Sequence, residues 1–382
     1  MKILYVLGSF FPAQNGGPNN TVYWAASEIA TQGIDVSVVS LKDGLTSDHI
    51  QKYKIKLGGV THYDGLSVYF FSYIISRYFA FSMYIWLFRN IRTFDGLMLT
   101  SVFFPITWYA VILCRIFNVP FSIAPRGELE PGALVFKKRV KIFLLRFFII
   151  RLISRAKYFV VTSEQEKQYT EVFFSDKVAK KLVPNFMAMS DFQLSEVKDQ
   201  APMRSGFLYL GRIHPKKGIE NLIDAFDILP DDDKILTIAG NGENNYVEHL
   251  KASVMSKNLG DRITFAGHVE GDTKADLYKS YKALVLPSFS ENFGNVVVEA
   301  MSYGLPVIAS MNTPWMEIQT EKCGYWIDNS PMSLATTMER LTIMSQSEYR
   351  HMSINAHRFA RERYDITSKG SLLKRLVLEL LS

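Results

Sequence analysis

At 382 residues the chain exceeds what one hydrophobic core usually organises, so two domains of ordinary size are expected. Hydrophobic residues make up 48% and charged residues 21%, as in globular proteins, and two cysteines, Cys114 and Cys323, exclude a disulfide framework or a zinc cluster and suit a reducing compartment. The formal charge of +6 is modest, so the placement of the basic residues matters more than their sum.

Taken in chain order, the apolar run Ile3 to Leu7 follows Lys2 and breaks at Gly8. With no small-residue cleavage site before Gly16-Gly17-Pro18, it reads as a buried strand rather than a signal peptide. Val36 to Ser40, Gly96 to Thr100, Phe121 to Ala124 and Tyr158 to Thr162 are further β-branched or apolar runs separated by helix-length segments. That alternation predicts a parallel sheet wrapped by helices. The uncharged stretch between Asp95 and Arg115 approaches the length of a membrane span, but Pro105 interrupts it and Thr100, Ser101 and Thr107 dilute it. A strand, a loop and a helix starting near Pro105 are predicted there instead. Residues 187 to 204 are polar and irregular and read as a linker. The rhythm then restarts with Phe207 to Gly211, Ile235 to Gly240, Ile263 to Ala266, Ala283 to Pro287 and Val307 to Ala309. Two such α/β domains are expected to place their ligand in a cleft at the carboxyl ends of their sheets.

The segment from Pro287 to Met301 (PSFSENFGNVVVEAM) follows a predicted strand and opens a helix. Successive backbone N–H groups at such a helix start bind anions. Gly294 permits close approach to the main chain, and Glu291 and Glu299 offer carboxylates to hydroxyl groups. Upstream, Gly211-Arg212-Ile213-His214-Pro215-Lys216-Lys217-Gly218 also follows a strand and brings a guanidinium and an ammonium suited to phosphate. Each feature alone is commonly a solvated surface; their order, each just after a strand, points to a nucleotide-sugar site. The run Asp231-Asp232-Asp233 reads as a solvated turn, and no metal or other cofactor is expected.

Gly211-Arg212 with Lys217-Gly218, the Glu291 and Glu299 pair, and Ala300-Met301-Ser302-Tyr303-Gly304-Leu305-Pro306 resemble the retaining GT-B glycosyltransferases of family 4 over most of residues 205 to 330. The resemblance implies two Rossmann-like domains whose parallel sheets face an interdomain cleft. It implies an N-terminal acceptor domain at 1–187 joined by the final helix at 365–382, a linker at 188–202, and a nucleotide-sugar domain at 203–362. It further implies that Glu291 contacts the donor sugar and Glu299 the ribose, that Arg212 and Lys217 hold the diphosphate, and that backbone groups of Asn292, Phe293, Gly294, Asn295 and Val296 complete its cradle. Val269, in Gly267-His268-Val269, resembles the segment bordering the nucleobase, and Gly16 and Gly17 resemble the glycine loop facing the donor phosphate. Pro125-Arg126-Gly127-Glu128-Leu129-Glu130-Pro131-Gly132 resembles a stretch of a bacterial surface-polysaccharide subset, and Val183-Pro184-Asn185 a strand-end motif; Arg126 and Asn185 are donor or acceptor candidates. Many members of the family carry a histidine after the fourth strand, where this chain has Leu99-Thr100-Ser101-Val102.

Between Ala133 and Lys157 the chain carries Lys137, Lys138, Arg139, Lys141, Arg146, Arg151, Arg155 and Lys157 without an acidic residue, interleaved with apolar side chains. With the aromatic stretch Tyr69 to Phe88, this predicts peripheral docking on an anionic membrane from the cytoplasmic side. A buried helix with snorkelling ends is the structural alternative, and no nucleic-acid recognition module accompanies the charge. The expected activity is metal-independent, retaining transfer of a hexose from a nucleotide diphosphate, UDP favoured, to a saccharide acceptor. A lipid-linked acceptor of cell-surface polysaccharide or lipopolysaccharide synthesis is favoured. A soluble acceptor, or a non-catalytic sugar-nucleotide-binding subunit at the membrane, are the alternatives.

Overall fold

Apolar side chains recur in short runs along this chain and bury both faces of two sheets, which organise two separate units. The computed structural model describes residues 1–13, 17–74, 80–134, 138–174, 178–200, 204–230 and 235–382; the side chains at 17, 18, 138 and 198–200 lie outside the description. One unit comprises residues 1–188 and 365–382, the other residues 189–364.

The first unit holds eight strands: β1 (Lys2–Val6), β2 (Asp35–Leu41), β3 (Val60–Tyr63), β4 (Leu66–Phe71), β5 (Gly96–Thr100), β6 (Phe121–Ala124), β7 (Tyr158–Val161) and β8 (Ala179–Leu182). They lie in the order β3-β4-β2-β1-β5-β6-β7-β8, and all neighbours are parallel except the β3–β4 hairpin. Ile3, Leu4, Val6, Val36, Val38, Val39, Leu97, Ile123 and Phe159 are all buried, as a sheet covered on both faces requires. The final helix Gly370–Leu381 belongs to this unit and packs on helix Gly17–Thr31. Its backbone is fastened by Tyr158, whose hydroxyl donates to the Leu376 carbonyl at 2.7 Å, and Lys374 Nζ donates to the Gln32 carbonyl at 3.3 Å.

The second unit holds β9 (Phe207–Leu210), β10 (Leu236–Ala239), β11 (Ile263–Gly267), β12 (Ala283–Leu286), β13 (Val307–Ser310) and β14 (Gly324–Ile327) in the all-parallel order β11-β10-β9-β12-β13-β14. Helices Ile219–Ile228 and Pro331–Thr342 pack on each other, contributing Leu222, Ile223, Phe226, Leu334, Met338 and Leu341 to one core.

Three departures from the sequence expectations have local causes. Residues 189–200, expected within a linker, are folded into the second unit: Phe192 and Val197 are buried, Val197 meets Gly304, and Arg361 donates to the Phe192 carbonyl at 2.9 Å. Polar composition concealed a short helix, Leu194–Gln200. The aromatic stretch Tyr69 to Phe88 divides, because Tyr69, Phe70 and Phe71 belong to β4, where Phe70 and Phe71 are core residues. Within the basic segment, Lys141 turns inward and donates to the Ala133 carbonyl at 2.6 Å, while Lys137 lies outside the described residues. The segment is not one regular helix: α-helical Lys138–Leu144 passes into a π-helical stretch, Leu145–Ile149, and then into Ile150–Ile153. A wheel drawn at 3.6 residues per turn therefore misplaces its charges.

The carboxyl ends of β9 and β10 are drawn together by glycine. Gly240 has φ of 141°, and a Cβ placed on it would lie 1.8 Å from the Gly211 carbonyl oxygen. Gly211 N–H donates to the Ala239 carbonyl at 3.0 Å and Ile213 N–H to the Asn241 carbonyl at 2.8 Å, so the chain after β9 leaves in one fixed direction. Replacing Gly240 with Ala is expected to lower the unfolding free energy of the second unit by about 3 kcal/mol or more, measured by urea titration, because both the backbone angle and the overlap must be relieved.

Candidate functional site

The loop after β9 and the loop after β12 interlock. Gly218 adopts a left-handed conformation, with φ of 64°, and a Cβ there would stand 2.1 Å from the Pro287 carbonyl oxygen. Phe289 N–H donates to the Lys216 carbonyl at 2.8 Å, and Asn329 Nδ2 donates to the Pro287 carbonyl. Asn329 is itself held through its own carbonyl, which accepts from Asn221 Nδ2 at 2.6 Å. This packing brings Lys217 Nζ into direct contact with Glu291 Oε1. Ser288 Oγ donates to the same oxygen at 2.9 Å. The ion pair is largely withdrawn from solvent, the two side chains being 19% and 10% exposed.

Arg212 emerges one residue after Gly211 and is exposed. Its carbonyl accepts from Tyr209 Oη at 2.8 Å, fixing where its side chain begins. Burial, followed by the negative charge of Glu291, pushes the Tyr209 hydroxyl well above its ordinary value, with Arg212 acting in the opposite sense. Arg212 and Glu291 thus act on the same buried hydroxyl, and Tyr209 stays protonated between them.

Helix Asn295–Ser302 begins beside this pair. Gly294 precedes it with φ of 81° and has no side chain of its own with which to cap the start. The first backbone amides of any helix have no acceptor within the helix itself. Phe293 does not offer its ring to a ligand: it is buried, with its ring centroid 5.0 Å from that of Trp315 and 5.7 Å from that of Tyr364, while Trp315 Nε1 donates to its carbonyl. Phe293 therefore anchors the loop to the core. Asn292 Oδ1 is buried without a hydrogen-bond partner among the described residues, an unmet acceptor in the same loop. Asn295 and Val296 form the half-buried first turn.

Glu299 sits one turn on and is held from a different direction. Its Oε2 accepts from Tyr278 Oη at 2.8 Å and meets Lys274 Nζ at 2.5 Å. Val269 lies between β11 and helix Gly271–Ser280, half-buried, on the carboxyl edge where Gly240 N–H donates to the Gly267 carbonyl at 2.6 Å. The neighbouring His268 is exposed and faces Glu270 at 3.6 Å. The second unit thus assembles Arg212, Lys217, Glu291, Asn292, Gly294, Asn295, Val296 and Glu299 at the carboxyl edge of its sheet.

The remaining candidates belong to the first unit. Gly16 lies outside the described residues, and Gly17 opens helix Gly17–Thr31. Arg126 has a left-handed backbone, with φ of 56°, and donates through Nη1 to Asn185 Oδ1 at 2.7 Å. Both line a small cavity of about 60 Å³ with Tyr5, Thr21 and Ser122. Burial lowers the Arg126 pKa, and the nearby Glu166 carboxylate opposes that shift. Glu166 also accepts from Gly127 N–H at 2.6 Å and from Thr162 N–H at 2.7 Å. In the stretch Leu99 to Val102, where the family pattern has a histidine, Ser101 Oγ and Val102 N–H donate to Glu128 at 2.7 and 2.6 Å. Burial pushes the Glu128 carboxyl above its ordinary value, opposed by these bonds and by Lys141. Sequence reasoning did not single out Ser288, Asn329, Trp315, Lys274, Tyr278 or Glu128: Ser288 and Glu128 stand inside quoted motifs without a role of their own, and the other four stand in none. The acidic run Asp231 to Asp233 lies outside the described residues.

Residues 190–359 match the family model described as Glycosyl transferases group 1. That match spans most of the second unit. An uncharacterized glycosyltransferase of Methanocaldococcus jannaschii is 38% identical over 152 residues, covering 39% of this chain and 38% of that protein. The alpha-monoglucosyldiacylglycerol synthase of Streptococcus pneumoniae is 30% identical over 149 residues, covering 36% of this chain and 33% of that protein. The chain thus spans less than half the length of each of these relatives. Among solved structures, Anabaena HepE in complex with UDP-glucose superposes with a TM-score of 0.77 at 18% identity, covering 99% of each chain. The architecture is the GT-B fold.

Replacing Asn329 with Ala strands the Pro287 carbonyl and loosens the interlock. The expected cost is about 1–3 kcal/mol of unfolding free energy, read from chemical denaturation, with the far-ultraviolet spectrum of the folded protein unchanged.

Proposed function

We propose that the chain is a glycosyltransferase that moves a hexose from a nucleotide diphosphate, UDP favoured, to a saccharide acceptor carried at an anionic membrane surface. The contact between Lys217 and Glu291, beside a helix start preceded by Gly294, is the observation that carries this reading. A diphosphate calls for cations and N–H donors, and the hexose calls for a carboxylate; both sets of groups occur within one pair of interlocked loops.

In the proposed reaction the bond from the anomeric carbon to the β-phosphate oxygen breaks as the bond to the acceptor oxygen forms on the same face. The acceptor proton passes to the departing phosphate oxygen. Arg212, Lys217 and the amides at Asn295 and Val296 stabilise the charge growing on the diphosphate, and that positive charge is why no metal ion is invoked. Glu291 orients the ring and favours its developing positive charge. Asn292 Oδ1 accepts from a sugar hydroxyl, which meets its unsatisfied hydrogen-bonding capacity. Retention of configuration follows from the resemblance to family 4. The UDP-glucose bound to Anabaena HepE supports the choice of nucleotide, and the lipid in the name of the Streptococcus pneumoniae synthase supports a lipid-linked acceptor.

Membrane docking is supported by a surface of the first unit. Among the described residues, no helix is long and apolar enough to cross a membrane. Helices Phe81–Asn90 and Pro105–Phe117 and the segment 138–153 are joined by ring contacts, Phe88 to Phe117 at 6.1 Å and Trp108 to Phe148 at 5.4 Å. They expose Phe81, Ile85, Phe88, Ile112, Ile116, Phe143, Phe147 and Phe148. Arg139, Arg146 and Arg151 are exposed on the same segment as Phe143, Phe147 and Phe148. Exposed rings among cations suit an anionic bilayer surface better than water.

Lys217→Ala is expected to lower transfer, or the slow hydrolysis of a UDP-sugar, by about a hundredfold or more while the chain stays folded. Near-normal turnover would remove Lys217 from the mechanism, and no hydrolysis of any nucleotide sugar by the parent chain would favour a non-catalytic subunit. Cosedimentation with phosphatidylglycerol vesicles at low salt tests docking. Replacing Phe147 and Phe148 with Ser is expected to weaken binding by about tenfold or more, and no binding by the parent chain would contradict docking.

A further inference from the structure

Lys274 and Tyr278 lie four residues apart on helix Gly271–Ser280, so their side chains share one face. Both reach the same atom, Glu299 Oε2: the Tyr278 hydroxyl donates at 2.8 Å and the Lys274 ammonium lies at 2.5 Å. Tyr278 is buried, 1% exposed, while the Lys274 side chain keeps 28% exposure and the Glu299 side chain 21%. The hydroxyl is thus a fixed donor and the ammonium stays partly in solvent. Burial and the Glu299 charge push the Tyr278 hydroxyl well above its ordinary value, so it donates throughout the neutral range.

The consequence concerns the other oxygen. Among the described residues Oε1 of Glu299 accepts no hydrogen bond. With Oε2 held by two donors, the carboxylate is immobilised, and its remaining acceptor capacity points one way. A carboxylate held in this manner is a receptor for two neighbouring hydroxyl groups. We propose that Lys274 and Tyr278 are positioning residues that aim Glu299 at the 2′- and 3′-hydroxyls of the donor ribose, so that this pair sets discrimination between ribonucleotides and deoxyribonucleotides. The inference rests on the nucleotide-diphosphate reading of the site and deepens it, since neither residue belongs to a motif that reading used.

Isothermal titration of the full chain with UDP and GDP, each beside its 2′-deoxy counterpart, tests it. The parent chain is expected to prefer the ribonucleotide by about tenfold or more, as for a hydrogen bond to a charged group. In Lys274→Met the ribonucleotide is expected to weaken by about tenfold while the 2′-deoxy form weakens by less than about threefold, collapsing the preference; Lys274→Arg should restore most of it. Tyr278→Phe removes the second donor and provides an independent variant should Lys274→Met fail to fold. An unchanged ribose preference in both variants, or an equal loss for both nucleotide forms, would overturn the inference while leaving the donor site intact. A parent chain that binds nucleotides without preferring ribose would show that Glu299 does not read the diol, and the proposal falls with it. If the parent chain binds neither UDP nor GDP, the donor reading fails and takes this inference with it.

Discussion

Everything at the candidate site depends on two loops approaching more closely than a side chain would allow. The Pro287 carbonyl occupies the space where a Cβ on Gly218 would be, and the same exclusion operates between Gly240 and the Gly211 carbonyl. Missing side-chain atoms are what let Lys217 reach Glu291. A largely buried ion pair is a weak source of stability, because desolvation offsets most of the attraction. Its persistence here is better understood as placement: a cation and a carboxylate are held beside a helix start before any ligand arrives, so binding need not order them.

The two units use buried carboxylates differently. In the second unit Glu291 and Glu299 are held by Lys217, Ser288, Lys274 and Tyr278, each contact on a single oxygen. In the first unit Glu166 and Glu128 accept main-chain N–H groups of neighbouring loops, Gly127 and Thr162 in one case, Val102 and Phe103 in the other. The latter pair organises backbone, and its oxygens are occupied on both sides of each carboxylate. Arg126 shares in that scaffold through Asn185, which gives it a structural part whatever ligand it also meets.

The surface of the first unit shows why a charge count understates a basic segment. Lys141 is used internally, against the Ala133 carbonyl and over the Phe103 ring at 5.3 Å, whereas Arg139, Arg146 and Arg151 stay in solvent. The π-helical stretch Leu145–Ile149 buries Leu145 and Ile149 and leaves Phe147 and Phe148 outward. Which charges share a face is a property of that irregular turn.

Local chemistry was legible in the residues themselves. The strands β1, β2, β5, β6, β7, β9, β10, β12 and β13 follow from β-branched or apolar runs, because a strand covered on both faces must be apolar throughout, and the more exposed edge strand β11 was marked by its run Ile263 to Ala266. The loop after β9 and the helix start after β12 were marked by glycine, cations and spaced glutamates, whose chemistry is independent of context. What the chain order could not reveal were pairings across long separations: Gly218 with Pro287, Asn329 with both, Lys274 and Tyr278 with Glu299, and Glu128 with Ser101. The strands β3, β4, β8 and β14 and the helix Leu194–Gln200 were also missed, since they are short and carry no continuous aliphatic run, and acquire a regular conformation only against neighbours. Residue type decided which groups were capable of binding a phosphate or a hydroxyl; only tertiary packing, through contacts between atoms far apart in sequence, decided which of those groups stand together and which are spent holding the scaffold.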